Sequence, residues 1–175
     1  MMLLDIPWSQ KLFGPIKIKT LMIKINVITN NINWYRYIKN PNKFIEKKIN
    51  DYNNKNLFLK KNIIFCTLLL SDNKEIKNLN KKFRKKNKST DVLSFPFYNK
   101  KELLNKLKKD KEVYLGDIIV NLNKIKNKKN IIKFESEFNR LWVHGFVHLF
   151  GHDHKREKDF KKMYLIEKKI LNYLE

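Results

Sequence analysis

The segment HGFVHLFGHDH, residues 144–154, contains all four histidines of the 175-residue chain. Three of them, His144, His148 and His154, have the spacing H-x3-H-x5-H, with Gly151 between the second and the third. Two residues four positions apart lie on one face of a helix, and glycine adopts the left-handed conformation that ends helices. The pattern therefore predicts a helix that carries His144 and His148, stops near Gly151 and returns His154 to the other two.

Three histidines gathered in this way leave one coordination position open, which is typical of a catalytic zinc site rather than a structural one. The only cysteine, Cys66, excludes a cysteine-based zinc site, and we expect it to be a buried, inert thiol. The sequence therefore predicts one Zn²⁺ per chain and a metal-dependent hydrolase. We expect His152 to line the site or contact substrate, with a fourth ligand as the alternative, and Asp153 to orient a ligand imidazole.

The histidine spacing is shared with the metzincin proteases, whose signature places a glutamate directly after the first histidine. Gly145 occupies that position here. A protease of that type uses the glutamate to deprotonate water, so its absence argues against the usual route of peptide hydrolysis. Hydrolysis of another bond remains open, because zinc alone lowers the pKa of bound water to about 7.

Outside this segment, four stretches have the alternating or continuously apolar pattern of β-strands. Three begin at Met22, Asn62 and Val113, and a short one ends at Pro96. Helical patterns lie between them, and two long amphipathic helices end the chain. Because strands and helices mix without a regular βαβ alternation, the sequence predicts an α+β fold. We expect a small mixed sheet of about four strands packed with helices, and the zinc site at the end of a helix in the C-terminal half.

Several finer expectations concern packing. The continuously apolar strand from Asn62 is expected to be central and buried on both faces. Asp72 is expected to cap the next helix, with Glu75 completing a capping box. Four aromatic residues are expected to pack inward, with base stacking as the alternative for the first two: Phe83, Phe97, Phe160 and Tyr164.

The formal charge of +22 and a pI near 10 favour a polyanionic partner, RNA or DNA. An excess of Lys, Asn and Ile is also typical of AT-rich genomes, so the charge alone leaves the partner open.

Residues 1–21 lack periodicity, and we expect a dispensable, poorly ordered extension before a single domain at 22–175. No run is long enough to span a bilayer, and a single cysteine fits a reducing cytoplasm. We do not expect the first residues to act as a secretory signal.

A dense basic cluster at 81–88 contains Arg84. One interpretation is a solvated helix end, where cations suit the negative end of the dipole. The other is a phosphate clamp, since a guanidinium forms bidentate contacts that lysine does not.

In the strand from Val113, Gly116 predicts a bulge or a close backbone approach. The adjacent Asp117 either bonds to local amides, or supports a ligand or faces the substrate.

Four motifs in order carry a resemblance: LNKKFR at 79–84, TDVLSFP at 90–96, LGDI at 115–118 and the histidine segment at 144–154. Together they resemble YbeY, a bacterial endoribonuclease family of rRNA maturation factors. The likeness runs from about Met22 to the end of the chain. One departure is the histidine at position 152, where the family usually has an aromatic residue such as tyrosine.

The resemblance implies a zinc-dependent endoribonuclease that cuts single strands, in small-subunit rRNA maturation and ribosome quality control in the cytoplasm. It implies RNA and the small ribosomal subunit as partners, with no membrane and no DNA expected. It also implies metal ligands at His144, His148 and His154, a functional Arg84, and therefore Arg84 and His144 as catalytic residues. The lysines expected to contact RNA are Lys81, Lys82 and Lys85. Two alternatives remain, a metallopeptidase on the same site and a zinc-stapled module that binds RNA without cutting it.

Overall fold

The computed structural model describes residues 21–54, 62–152 and 157–174, and these ranges contain four strands and five α-helices. The strands are β1 (Leu21–Thr29), β2 (Asn62–Ser71), β3 (Val92–Pro96) and β4 (Glu112–Asn121). The helices are α1 (Pro41–Asn54), α2 (Asn73–Arg84), α3 (Lys100–Lys109), α4 (Ile131–Leu149) and α5 (Glu157–Leu174). Short 3-10 helices occupy Ile32–Arg36 and Leu122–Lys124.

The strands form one mixed sheet in the order β1-β2-β4-β3. The pairs β1–β2 and β2–β4 are parallel, whereas β3 runs antiparallel to β4 at the edge. This confirms the predicted mixed sheet of four strands packed with helices. The edge position of β3 fits its sequence, since Pro96 has no amide hydrogen to donate to a second neighbour.

One face of the sheet carries the main core. Helices α1 and α4 pack on this face, and α5 packs against both helices. Apolar side chains of the amphipathic helix α4 are buried in this core: Phe134, Phe138, Leu141, Trp142 and Leu149. Trp34 lies against Phe134 and Phe138, with ring centroids 6.2 and 5.3 Å away, and its indole N–H donates to the Ser71 carbonyl at 3.0 Å. The long helix that carries the histidines is therefore fixed to the sheet by aromatic packing.

The opposite face of the sheet is only partly covered. Helix α2 lies over one end of it, where Ile76, Leu93 and Ile119 form a small buried cluster. Beyond the end of α2, the side chain of Phe65 on β2 is 39% exposed. The expectation that β2 is buried on both faces is therefore wrong, because a single 12-residue helix is too short to cover the whole face.

Helix α2 begins at the residue that the sequence indicated, but with different partners. Oδ1 of Asp72 accepts hydrogen bonds from the amides of Lys74 and Glu75, at 2.9 and 3.0 Å, so the predicted cap is confirmed. The capping box is wrong. The carboxylate of Glu75 instead accepts from the Ser71 hydroxyl and the Asn30 side-chain amide, because the ends of two neighbouring strands bring these donors within reach.

Gly116 lies at an irregularity in β4, as its position predicted. Its φ is +130°, and a Cβ on this residue would lie 2.1 Å from the Phe95 carbonyl oxygen of β3. The register between β2 and β4 shifts at the same place, between Phe65 and Cys66. Only glycine allows β3 to approach β4 this closely.

The remaining expectations concern the N-terminal extension, membrane-spanning helices and Cys66. Apart from Leu21, which begins β1, the predicted N-terminal extension lies outside them. Within them, no helix is both long enough and apolar enough to cross a bilayer. Cys66 is buried as expected, and this burial raises the pKa of its thiol.

Candidate active site

Helix α4 ends at the predicted place. Its last residue is Leu149, and Gly151 follows with a φ of +74°. The amide of Gly151 donates to the His148 carbonyl at 2.9 Å, which closes the last turn. His144 and His148 therefore stand one turn apart at the C-terminal end of the helix, on one face.

The two imidazoles point at the same place. Their Nε2 atoms are 3.2 Å apart and their ring planes are nearly perpendicular, at 88°. Nδ1 of His148 lies 2.8 Å from the carbonyl oxygen of His152. Because a carbonyl oxygen only accepts, this Nδ1 carries the hydrogen, and Nε2 presents a lone pair. Nδ1 of His144 likewise lies 2.8 Å from Oε1 of Glu167.

This donor set fits a metal ion. Two nitrogens bound at about 2.0–2.1 Å in a tetrahedral arrangement lie about 3.3 Å apart, close to the separation of the two Nε2 atoms. An outer hydrogen bond donated by each Nδ1–H, one to a carbonyl and one to a carboxylate, is the usual support of a ligand histidine. Within the described ranges, no group of three or more metal-binding side chains occurs. The predicted third ligand, His154, and Asp153 both lie outside these ranges.

Glu167 is a site residue that the sequence analysis missed. It lies on α5, 23 residues after His144, and its carboxylate accepts from the imidazole in a partly buried contact. The sequence analysis instead expected Asp153, which is adjacent to His154, to orient a ligand imidazole. The position of Glu167 one turn after the buried Met163, on the inner side of an amphipathic helix, is the signal that could have indicated it.

Gly145 holds α4 close to the sheet. A Cβ on this residue would lie 2.6 Å from Cγ2 of Ile118, 3.1 Å from Oγ of Ser94 and 3.3 Å from Cγ2 of Val92. Real Cβ atoms are not found at the first of these distances. The glycine at the position of the protease glutamate is therefore a packing requirement, and a carboxylate at 145 would point into the sheet rather than at the histidines.

A cleft of about 870 Å³ opens in front of the histidine pair. Arg84, the last residue of α2, lies on its rim and donates from Nη2 to the Ser94 carbonyl of β3 at 3.0 Å. Its guanidinium also stands 5.9 Å from the centre of the Phe95 ring. The left-handed backbone of Lys85, at φ 59°, ends α2 at this point. Arg84 and the two histidines thus face one space.

The lysines predicted to contact RNA lie outside the wall of the cleft. Lys81, Lys82 and Lys85 are exposed, but none of them lines the cleft. Lys86, to which no role was assigned, does line it. The reversal of the chain at Lys85 explains this, because residues after the helix end turn toward β3 while those on the helix face solvent.

Asp91 is a second carboxylate that the sequence analysis left without a role. It lines the cleft just before β3, and Oδ1 accepts from the Thr90 hydroxyl at 3.0 Å and the Val92 amide at 2.9 Å. Among the described residues of the cleft wall, it is the only acidic one. These two bonds hold the carboxyl group in a fixed orientation at the cleft.

The remaining predicted residues lie in two places. His152 is 92% buried and lines the cleft, with its carbonyl supporting His148. Asp117 is on the opposite face of the sheet, since its neighbour Ile118 points toward α4. There Asp117 accepts from the hydroxyl of Tyr114, and burial together with this bond raises the pKa of Tyr114 to about 12. The structure therefore does not bring Asp117 to the histidines.

A family model described as endoribonuclease YbeY matches residues 28–175, a range that includes the histidines, Arg84 and Asp91. This chain belongs to the YbeY endoribonuclease family. The YbeY endoribonuclease of Pelagibacter ubique is 42% identical over 155 residues, which cover 87% of this chain and 97% of that protein. The YbeY endoribonuclease of Ehrlichia canis is 36% identical and covers 87% and 93%.

A solved structure agrees with the fold of this YbeY chain. The solution structure of TM1509 from Thermotoga maritima matches with a TM-score of 0.51 and 25% sequence identity, over 86% of this chain and 89% of the other. The predicted family and an endoribonuclease activity are thus confirmed. The membership covers nearly all of the described structure, so the cleft belongs to the part that YbeY proteins share.

Proposed function

We propose that this protein is a zinc-dependent endoribonuclease that cuts single-stranded RNA, in the cytoplasm, during small-subunit rRNA maturation and ribosome quality control. The observation that carries the proposal is the pair of Nε2 atoms 3.2 Å apart in a cleft whose rim holds Arg84. A cation site and a guanidinium that face one space suit a phosphodiester, which is anionic and gains charge as it is cleaved.

His144, His148 and His154 are the residues that would hold the ion, with Glu167 and the His152 carbonyl orienting the first two. A zinc ion held there would supply Lewis-acid stabilisation of charge at phosphorus and would lower the pKa of a bound water molecule. The protein's own part is to fix two imidazoles in the tautomer that presents Nε2. Since both outer hydrogen bonds are made before substrate arrives, no reorganisation is needed when it does.

Arg84 would bind the scissile phosphate. One N–H already donates to the Ser94 carbonyl, which fixes the plane of the guanidinium and leaves other donors of the five directed at the cleft. Lys86 adds a second positive charge on the same rim. Binding of this kind releases counterions from the nucleic acid, so affinity falls steeply as salt rises.

Asp91 would be the general base. It is held at the cleft by the Thr90 hydroxyl and the Val92 amide, which both bind Oδ1. The attacking water would transfer a proton to this carboxylate while its oxygen forms the new bond to phosphorus. The bond from phosphorus to the ribose oxygen would break, and that oxygen would take up a proton from solvent. This assigns a function to a residue in the TDVLSFP motif and supplies the base that position 145 lacks.

Replacement of Asp91 with asparagine is expected to lower kcat by about 10²- to 10⁴-fold, the usual contribution of a positioned base. The affinity for RNA should be retained, because asparagine keeps the size of the side chain and a hydrogen-bond acceptor. Single-turnover cleavage and RNA binding measure the two effects separately. Asp110→Asn, at a surface carboxylate paired with Lys106, is the matched control. Full activity in Asp91→Asn would remove Asp91 from the mechanism.

Replacement of Glu167 with glutamine is expected to weaken zinc binding by about 10- to 100-fold, as is usual when the outer partner of a ligand histidine is lost. A competition titration with a chromophoric chelator measures this without reference to activity. Glu157→Gln is the control, because Glu157 is on the same helix, exposed, and paired only with surface Lys161 among the contacts that the structure describes. Equal zinc affinity in the two variants would contradict the orienting role.

The activity itself is tested with one RNA sequence in single-stranded and duplex form. Cleavage of the single strand alone, lost on chelation and restored by zinc, is the expected result. Cutting that persists in the chelated protein would contradict metal dependence, and equal cutting of the duplex would contradict strand specificity. Intact folding without cleavage of either RNA would favour the zinc-stapled binding module. The close contact of Gly145 with the sheet argues against a peptidase, because it leaves no room for the glutamate that a metzincin protease has at this position.

A further inference from the structure

The part of the sheet that α2 leaves uncovered carries a row of aromatic side chains. Phe65 of β2, Tyr114 of β4 and Phe97, just after β3, lie side by side across three neighbouring strands. The ring centroids of Phe65 and Tyr114 are 5.3 Å apart, and those of Tyr114 and Phe97 are 5.6 Å apart. This row, called here the aromatic row, lies on the face opposite the histidine helix.

The aromatic row faces solvent. Phe97 is 64% exposed and Phe65 is 39% exposed, although Phe97 was expected to pack in the core. Two further rings extend the exposed aromatic surface toward the edge of the sheet, since Phe83 is 57% exposed and stands 5.2 Å from the ring of Phe95. Exposure of several large rings in one place is unusual for a surface without a binding role.

Polar groups interrupt this surface, which distinguishes it from an apolar docking patch. The Tyr114 hydroxyl bonds to Asp117 and lies 3.2 Å from the Thr67 hydroxyl, in the middle of the row. A protein interface core is depleted of charged groups. A nucleobase instead presents a flat apolar face together with hydrogen-bonding edges, which matches rings that surround a tyrosine, a threonine and a carboxylate.

Positive charges stand at both ends of the aromatic surface. Lys24 of β1 is exposed and lies beside Phe65 in the register of β1 and β2. At the other end, the ammonium of Lys82 is 5.2 Å from the centre of the Phe83 ring. Among the described strand residues, Glu112 and Asp117 are the acidic ones on this face, at the start and the middle of β4. Lysines at the two ends suit a polyanion that runs across the strands.

Arg84 connects this face to the cleft. Its guanidinium stands 5.9 Å from the centre of the Phe95 ring on the open face, yet Arg84 also lines the space in front of His144 and His148. It lies at the edge strand β3, where no further strand blocks the way. A chain leaving the cleft can therefore pass around β3 beside Arg84 and reach Phe97.

We propose that the open half of the sheet is a second binding site for single-stranded RNA, continuous with the cleft around the edge of β3. Bases stack on Phe97, Tyr114 and Phe65, while Lys24, Lys82 and Arg84 hold the phosphates. Stacking on aromatic rings beside a basic track is the usual way in which proteins bind single strands without sequence preference. The proposal rests on the proposed function, since that function makes RNA the occupant.

The experiment measures the affinity for a fluorescein-labelled oligouridylate of about twelve nucleotides, a length within the usual range of such sites. It is done on the full chain with chelator present, so that RNA is bound but not cut. Phe97→Ala and Phe65→Ala are expected to weaken binding by about tenfold each, the usual effect of losing one stacked base. Phe97→Trp, which keeps a ring, is expected to bind as tightly as the wild type.

Tyr35→Ala is the control, because Tyr35 is an exposed aromatic residue in the 3-10 helix, away from the aromatic row. Photo-crosslinking with 5-iodouridine in the same oligonucleotide should give adducts on peptides that contain Phe97, Tyr114 or Phe65. Wild-type affinity in both alanine variants, with crosslinks only to cleft peptides, overturns the proposal and leaves the face to a protein partner. Weakened binding together with an inactive enzyme would overturn the nuclease function while supporting the second site.

Discussion

Alanine at His148 and alanine at Arg84 are both expected to slow RNA cleavage by at least about 10²-fold, but only the His148 variant should lose zinc. His148 supplies one of the two Nε2 atoms that lie 3.2 Å apart. A bound metal contributes several kcal/mol to stabilising a transition state, so its loss lowers the rate by about 10³-fold. Removal of one positioned donor such as Arg84 costs about 10²- to 10³-fold.

Two measurements distinguish loss of the metal from loss of the contact between Arg84 and RNA. Metal content by inductively coupled plasma mass spectrometry should fall in His148→Ala and stay at the wild-type level in Arg84→Ala. RNA affinity should fall in Arg84→Ala alone when metal is removed from all samples. Ile132→Ala, at an exposed position on the same helix as His148, is the control for folding and activity. Cleavage by a folded His148→Ala protein would refute the metal mechanism.

Glutamate at position 145, the residue that a metzincin protease has there, is expected to unfold the protein rather than to create a peptidase. The first atom of the new side chain would lie 2.6 Å from Ile118, which is fully buried and cannot move aside. Overpacking of a core costs about 1–3 kcal/mol, and an unpaired carboxylate inside costs several more. A loss of at least about 4 kcal/mol is therefore expected, in the range that marks a specific structural defect.

Urea unfolding in the presence of chelator measures this loss without any contribution from metal binding. Gly145→Ala should show the smaller cost of overpacking alone, despite the gain of about 1 kcal/mol that alanine brings to a helix. Ile132→Glu, which adds the same charge to an exposed position of the same helix, should leave the midpoint nearly unchanged. A stable, folded Gly145→Glu protein would show that α4 can lift away from the sheet.

Local patterns in the sequence predicted the parts of the fold that depend on neighbours in the chain. The strand at β1, the cap at Asp72 and the end of α4 near Gly151 all follow from residues within a few positions of each other. The pairing of His144 with His148 is of the same kind. Each is determined by the period of a helix or strand, by a capping side chain or by the backbone freedom of glycine.

Contacts between distant segments were not predictable in this way. Glu167 reaches His144 from another helix, and Asp91 enters the cleft because β3 pairs with β4. The exposure of four aromatic side chains was predicted wrongly for the same reason. The open sheet face leaves Phe83 and Phe97 in solvent, and Phe160 and Tyr164 border a second cavity between α4 and α5. An aromatic residue at helical spacing has the same sequence signal whether or not another element covers it.

The hydrogen bond from His144 to Glu167 makes the active site depend on the docking of α5. Helix α5 packs on α1 and α4 without touching the sheet closely, and Lys48 of α1 donates to the Leu174 carbonyl near its end at 2.8 Å. Peripheral helices open at a lower free energy than core strands. Local opening of α5 removes the carboxylate from His144 while the sheet stays folded. We therefore expect activity to fall at temperatures below global melting, through a partial and reversible opening of α5.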